Sequence, residues 1–165
     1  MATVTLGGNP VATSGQLPEV GQSFPAYTLV ATDLSVKTPA DFAGKKVIYN
    51  IFPSIDTATC ALSVRQFHQK AAALDGVVVV CVSRDLPFAA KRFCGAEGID
   101  DVVCLSDFQT GALSQALGLT LTEGPLKGLM ARAVVVTDAK GTITHTELVS
   151  EIAHEPNYEA ALAAL

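Results

Sequence analysis

The chain has 165 residues, 49% of them hydrophobic, with 16 acidic against 11 basic side chains and a formal net charge of −5. That length supports one domain, residues 1–165, with a sizeable core. The acidic balance, the scattered basic residues and the absence of Trp argue against nucleic acid or an anionic membrane surface as partner.

The longest apolar run, Val77 to Val82, falls far short of the roughly 20 residues of a bilayer span. No basic residue precedes Lys37, so the basic start of a secretory leader is missing and a cytoplasmic location is expected. Four cysteines (Cys60, Cys81, Cys94, Cys104) in such a chain read as free thiols rather than structural bridges. None forms a C-x-x-C pair and the three histidines lack ligand spacing, so no metal or cofactor is expected.

In chain order, residues 3–13 predict a hairpin turning on Gly7-Gly8-Asn9-Pro10. A loop over 14–25 leads to a strand from Tyr27 to Thr32 and a connection over 33–44, where Lys37-Thr38 pairs back. Val47 to Phe52 predicts a central strand, because a continuous apolar run suits burial on both faces. Next comes a helix with an inward stripe at Cys60, Val64, Phe67, Ala71 and Leu74. Val77 to Ser83 predicts a second buried strand. Pro87 to Cys94 predicts a short helix ending at Gly95, Val102 to Ser106 a strand, and Thr110 to Leu117 a helix. Leu119 to Met130 reads as a loop. Strands over 133–137 and 142–149 are joined by Asp-Ala-Lys-Gly, and a last helix covers 156–165. The alternation predicts an α/β fold with a mixed sheet.

Cys60 stands just inside its helix, after a buried strand and a turn led by Pro53. Unpaired N–H groups at a helix start favour an anion, and a fixed Arg would add to that. A lower thiol pKa alone gains little, because nucleophilicity falls with basicity. A fast enzyme needs groups that hold the substrate and stabilise the leaving oxygen. Thr57 puts a hydroxyl three residues before Cys60, where a C-x-x-C would have its first cysteine. On these residues alone Cys60 is either a nucleophile or a core cysteine at a helix start. Arg65 shares its helix but points about 140° away.

Residues 50–60, NIFPSIDTATC, resemble the peroxiredoxin motif P-x-x-x-T-x-x-C through Pro53, Thr57 and Cys60. Residues 84–98, RDLPFAAKRFCGAEG, and 124–136, GPLKGLMARAVVV, are similar to the thiol peroxidase subfamily of atypical two-cysteine peroxiredoxins. The resemblance implies a thioredoxin-like fold with an added N-terminal β-hairpin, usually as a homodimer. It implies that Cys60 is the peroxidatic cysteine, Cys94 the resolving cysteine and Arg132 the active-site arginine. Thr57 would hydrogen-bond the thiolate and the peroxide, and Pro53 would cover the site. The implied substrate is a hydroperoxide and the implied reductant thioredoxin. Cys94 precedes a glycine-containing stretch, so local unwinding there is comparatively cheap. Cys81 and Cys104 read as small buried residues without a role. So do His68, His145 and His154, as structural or surface residues.

Two rivals use the same residues. A thiol–disulfide oxidoreductase would reduce insulin without consuming peroxide, and a non-catalytic protein would leave Cys60 unmodified by peroxide.

Overall fold

The computed structural model describes residues 1–165. A hairpin, β1 (Thr3–Leu6) and β2 (Asn9–Ala12), precedes β3 (Leu29–Ala31), β4 (Val36–Lys37) and β5 (Lys46–Ile51). Then follow α1 (Ala58–Ala71), β6 (Val77–Ser83), α2 (Pro87–Glu97), β7 (Val102–Ser106) and α3 (Ala112–Ala116). The chain ends with β8 (Ala133–Thr137), β9 (Ile143–Leu148) and α4 (Tyr158–Ala163). No helix is long and apolar enough to cross a membrane.

Seven strands form one sheet in the order β4-β3-β7-β6-β5-β8-β9. Strands β5, β6 and β7 run parallel, while β3, β8 and β9 add antiparallel neighbours. The helical crossover through α1 keeps β5 and β6 parallel, and the one through α2 does the same for β6 and β7. Burial on both faces explains why β6 is apolar from Val77 to Val82 and why β5 after Lys46 is apolar but for Asn50, which is buried with its Nδ2 donating to Ser63 Oγ.

Alternation along these strands sorts their side chains into two cores. Val47, Tyr49, Ile51, Val80, Val82, Ala133 and Val135 face a core shared with the hairpin, α3 and the segment 119–130. Ile48, Val79, Cys81, Cys104, Val134 and Val136 face the other, beneath α1, α2 and α4. Cys60 belongs to this second core.

Several boundaries differ from expectation for identifiable reasons. Helix α2 runs through Gly95 to Glu97, because the left-handed cap lies at Gly98 (φ 66). Leu74 falls beyond the end of α1 and is exposed. The first hairpin turns on Gly7-Gly8 alone, since Leu6 pairs with Asn9 and Pro10 sits within the strand. The return pairing after β3 uses Val36 and Lys37 rather than Thr38. The final helix is shorter than expected, capped by the Asn157 side chain, which accepts from Ala160 N. Segment 119–130 closes on itself through an isolated bridge between Thr120 and Met130, and a second, between Leu121 and Thr13, ties it to the residue after β2.

Candidate functional site

Strand β5 ends at Ile51 beside Ala133, the first residue of β8. The chain then turns through Pro53 and starts α1 at Ala58. Two residues of the resulting turn, with Ser83 at the end of β6, converge on one carboxylate. Asp85, just after β6, accepts from Ser54 Oγ at 2.7 Å and from Ile55 N and Ser83 Oγ at 2.8 and 2.7 Å. Buried Pro53, Phe52 and Ile55 pin the same turn from the inside.

Thr57 is the N-cap of α1, its hydroxyl accepting from Cys60 N at 3.3 Å and donating to Ser54 O at 3.2 Å. A cap of this kind stabilises a helix by about 1 kcal/mol. The hydroxyl is thus engaged with backbone and makes no hydrogen bond to the Cys60 sulfur here. Cys60 itself is fully buried on the inward face of α1.

Arg132 reaches Cys60 by the alternation of β8. Ala131 and Ala133 face the first core and Val134 the second, so Arg132 points toward α1. Its Nη2 donates to Cys60 Sγ at 3.3 Å and its Nε donates to Ile152 O at 2.9 Å. The side chain is 1% exposed and its Nη1 has no partner. A buried guanidinium held by one backbone bond and one sulfur leaves an N–H for a further acceptor. A charge-assisted hydrogen bond to sulfur favours negative charge there.

Beside this pair lies a cavity of ≈ 170 Å³ lined by Leu6, Pro53, Thr57, Leu126, Arg132 and Ile152 among others. Hairpin, turn, segment 119–130 and post-β9 segment each contribute to it. The hairpin is fixed here by Glu151. That carboxylate accepts from Thr5 Oγ1, Gly7 N, Gly8 N and Ala153 N at 2.9–3.2 Å. Backbone N–H groups at Ala153 and Gly8, with help from the Thr5 hydroxyl, lower its pKa from 4.5 to about 2.

Cys60, Arg132, Thr57 and Pro53 therefore sit together, and Cys94 does not join them. Its sulfur lies on α2 at 3.6 Å from Cys104 Sγ. Arg65 is engaged elsewhere: Nε donates to Glu97 Oε1 at 2.6 Å and the guanidinium covers Phe93 at 5.4 Å. His68 lies 3.5 Å from Asp101, and His68, His145 and His154 all lie outside the cavity walls. Asp85, Glu151, Leu6, Leu126 and the Ile152 carbonyl were missed by sequence reasoning. They reach the site through long-range packing, and only the hairpin's Gly-Gly turn hints that something docks on it.

A Redoxin family model matches residues 19–162. Thiol peroxidases of Mycobacterium tuberculosis and Mycobacterium bovis are 55% identical over 165 residues, covering 100% of this chain and 99% of theirs. A peroxiredoxin-like protein of Aquifex aeolicus is 37% identical with a TM-score of 0.90, over 99% of this chain and 96% of its own. Thiol peroxidase from Chromobacterium violaceum, at 18% identity, shares the fold with a TM-score of 0.91 over 98% and 93% of the two chains. The architecture is thus thioredoxin-like, with a mixed sheet flanked by helices and an added N-terminal strand pair.

Proposed function

The chain belongs to the redoxin family and, within it, to the thiol peroxidases, and we propose that Cys60 is the sulfur that meets the peroxide. The observation that carries this reading is the Arg132 guanidinium: one N–H on Cys60 Sγ, one without a partner, and a cavity alongside. The free N–H suits a peroxide oxygen lying in line with the sulfur, where charge develops as the O–O bond breaks.

In the proposed cycle the Cys60 thiolate attacks one oxygen of a hydroperoxide. An S–O bond forms, the O–O bond breaks, and the other oxygen leaves as water or an alcohol after taking a proton. Cys60 becomes a sulfenic acid. The Cys94 thiol of the same chain then displaces water to give a Cys60–Cys94 disulfide, and thioredoxin restores both thiols. Thr57 serves as the cap that orients Cys60, with its hydroxyl able to turn toward peroxide. Pro53 walls the site.

Apolar residues from three segments (Leu6, Leu126, Ile152) favour organic hydroperoxides alongside hydrogen peroxide. Exposed Leu86 and Phe88 at the start of α2 offer the kind of apolar patch that a homodimer would cover. All four cysteines are free, which fits a reducing compartment such as the cytoplasm.

One equivalent of cumene hydroperoxide, followed by peptide mapping, tests the cycle. The expected product is a Cys60–Cys94 disulfide, absent from Cys60→Ser, which should consume no peroxide. Full thioredoxin-coupled activity in Cys60→Ser would refute the assignment.

A further inference from the structure

The resolving thiol rests against another thiol, not against the one it is to join. Cys94 Sγ and Cys104 Sγ lie 3.6 Å apart, close enough that a small rotation of either side chain would bring them to bonding distance. Cys104 comes from the middle of β7, on the face covered by α2, in register with Cys81 of β6. Both Cys94 and Cys104 line an open groove of ≈ 450 Å³ at the α2 edge, together with Lys91, Gly95, Ile99 and Val102. Cys104 also lines a crevice that reaches Phe52 and Ile55, in the turn leading to Cys60. It therefore stands between the resting place of Cys94 and the active-site turn.

Building on the proposed cycle, we propose that Cys104 is a second resolving cysteine, which takes Cys94 from Cys60 by thiol–disulfide exchange. Cys104 loses its proton to solvent and its thiolate attacks the Cys94 sulfur of the Cys60–Cys94 bond. A Cys94–Cys104 bond forms, the Cys60–Cys94 bond breaks, and Cys60 leaves as a thiolate. The protein's oxidation level is unchanged and no outside oxidant or reductant enters.

Two features of the fold drive the exchange forward. A Cys60–Cys94 bond requires Cys94 to leave its place on α2, whereas a Cys94–Cys104 bond is compatible with the folded helix. Exchange therefore lets α2 reform. The leaving Cys60 sulfur also receives the Arg132 hydrogen bond, and a stabilised thiolate leaves faster. The disulfide then lies in an open groove beside half-buried Cys94, within reach of a dithiol reductant, while Cys60 is free for another peroxide.

The attacking step is slow by construction. The neighbouring Cys81 thiol, with burial behind it, pushes the Cys104 thiol well above the usual range. Its thiolate fraction, and with it the exchange rate, should rise about tenfold per pH unit across the neutral range.

The test uses the full-length reduced protein and one equivalent of cumene hydroperoxide, acid-quenched at intervals, alkylated in denaturant and mapped by mass spectrometry. The expected sequence is a Cys60–Cys94 bond first, then a Cys94–Cys104 bond with Cys60 again alkylated, the second phase about tenfold faster at pH 8 than at pH 7. In Cys104→Ser and Cys104→Ala the first bond should persist. If the wild-type Cys60–Cys94 bond persists unchanged, the exchange is overturned and the peroxidase cycle stands. If Cys60 never links to Cys94, both fall.

Discussion

Helices α1 and α2 each present a cysteine to the same face of the sheet, yet they are held very differently. Helix α1 buries Cys60, Ala61, Ser63, Val64, Phe67 and Ala71, while α2 buries only Pro87. Fully burying side chains such as Val64 and Phe67 contributes ~1.5–3 kcal/mol each, so α1 is nailed to the sheet by its core. Helix α2 is instead tied down at its edges, by Arg65 with Glu97 and by Arg92 with Asp56, both on the surface. Exposed ion pairs contribute little, ~0–1 kcal/mol. One helix keeps the attacking sulfur in register with Arg132; the other can release its sulfur to travel. Rigidity and mobility fall where a two-thiol cycle needs each.

The largest effect should come from breaking the rigid half at Arg132. Arg132→Met removes the donor to Cys60 Sγ and the free N–H beside the cavity. By analogy with loss of one oxyanion donor, ~10²–10³-fold in the peroxide step is expected. Stopped-flow measurement of sulfenic acid formation should show that loss, with the later closure onto Cys94 unslowed. A variant within threefold of wild type would place the rate-determining contact elsewhere.

Breaking the mobile half should act in the opposite direction. Gly98 holds a left-handed conformation at the end of α2, and Gly98→Ala should destabilise that cap by about 1 kcal/mol. The unwound form gains about fivefold in population, so disulfide closure should accelerate by up to that factor while peroxide attack stays the same. Slower closure would mean that the cap orients Cys94 rather than restraining it. Glu97→Gln loosens the same helix more gently. Losing the Arg65 pair, a partly exposed contact, is expected to bring roughly a twofold gain in closure rate. High salt should produce a similar gain in wild type and none in the variant.

The half of the site that could be read in the sequence is the half built locally. The turn from Pro53 to Cys60 is one strand end, one bend and one helix start, so spacing alone places the Thr57 hydroxyl about a turn before Cys60 and Cys60 on the inner face; that Thr57 caps the helix is seen only in the structure. Arg132 was legible through its resemblance to a family pattern; its orientation follows from strand alternation once β8 is known to neighbour β5. Asp85 and Glu151 were not legible, because each acts on residues brought close only by the assembled sheet. The end of α2 was misplaced because two glycines three residues apart both look like stops, and only backbone conformation distinguishes Gly95 from Gly98. Cys104 read as filler for a related reason: its neighbour Cys94 is ten residues away on another element.

The smallest effect concerns a tether of the rigid half that acid should undo. Glu151 binds the hairpin turn through Gly7 and Gly8, and its folded pKa, about 2, lies below the ordinary 4.5. A depressed carboxylate pKa gives stability that is fully present above the ordinary value and lost as pH falls through the folded one. The Gly7 and Gly8 amide resonances should therefore titrate with a midpoint near 2 in the folded protein. A midpoint near 4.5 would mean that the carboxylate is not held by the turn. Because Leu6, adjacent to that turn, walls the cavity, Glu151→Gln at neutral pH should raise KM for bulky organic hydroperoxides more than for hydrogen peroxide. Helix α2 should be indifferent to the change, since its ties run to Arg65 and Asp56 rather than to Glu151 or the hairpin.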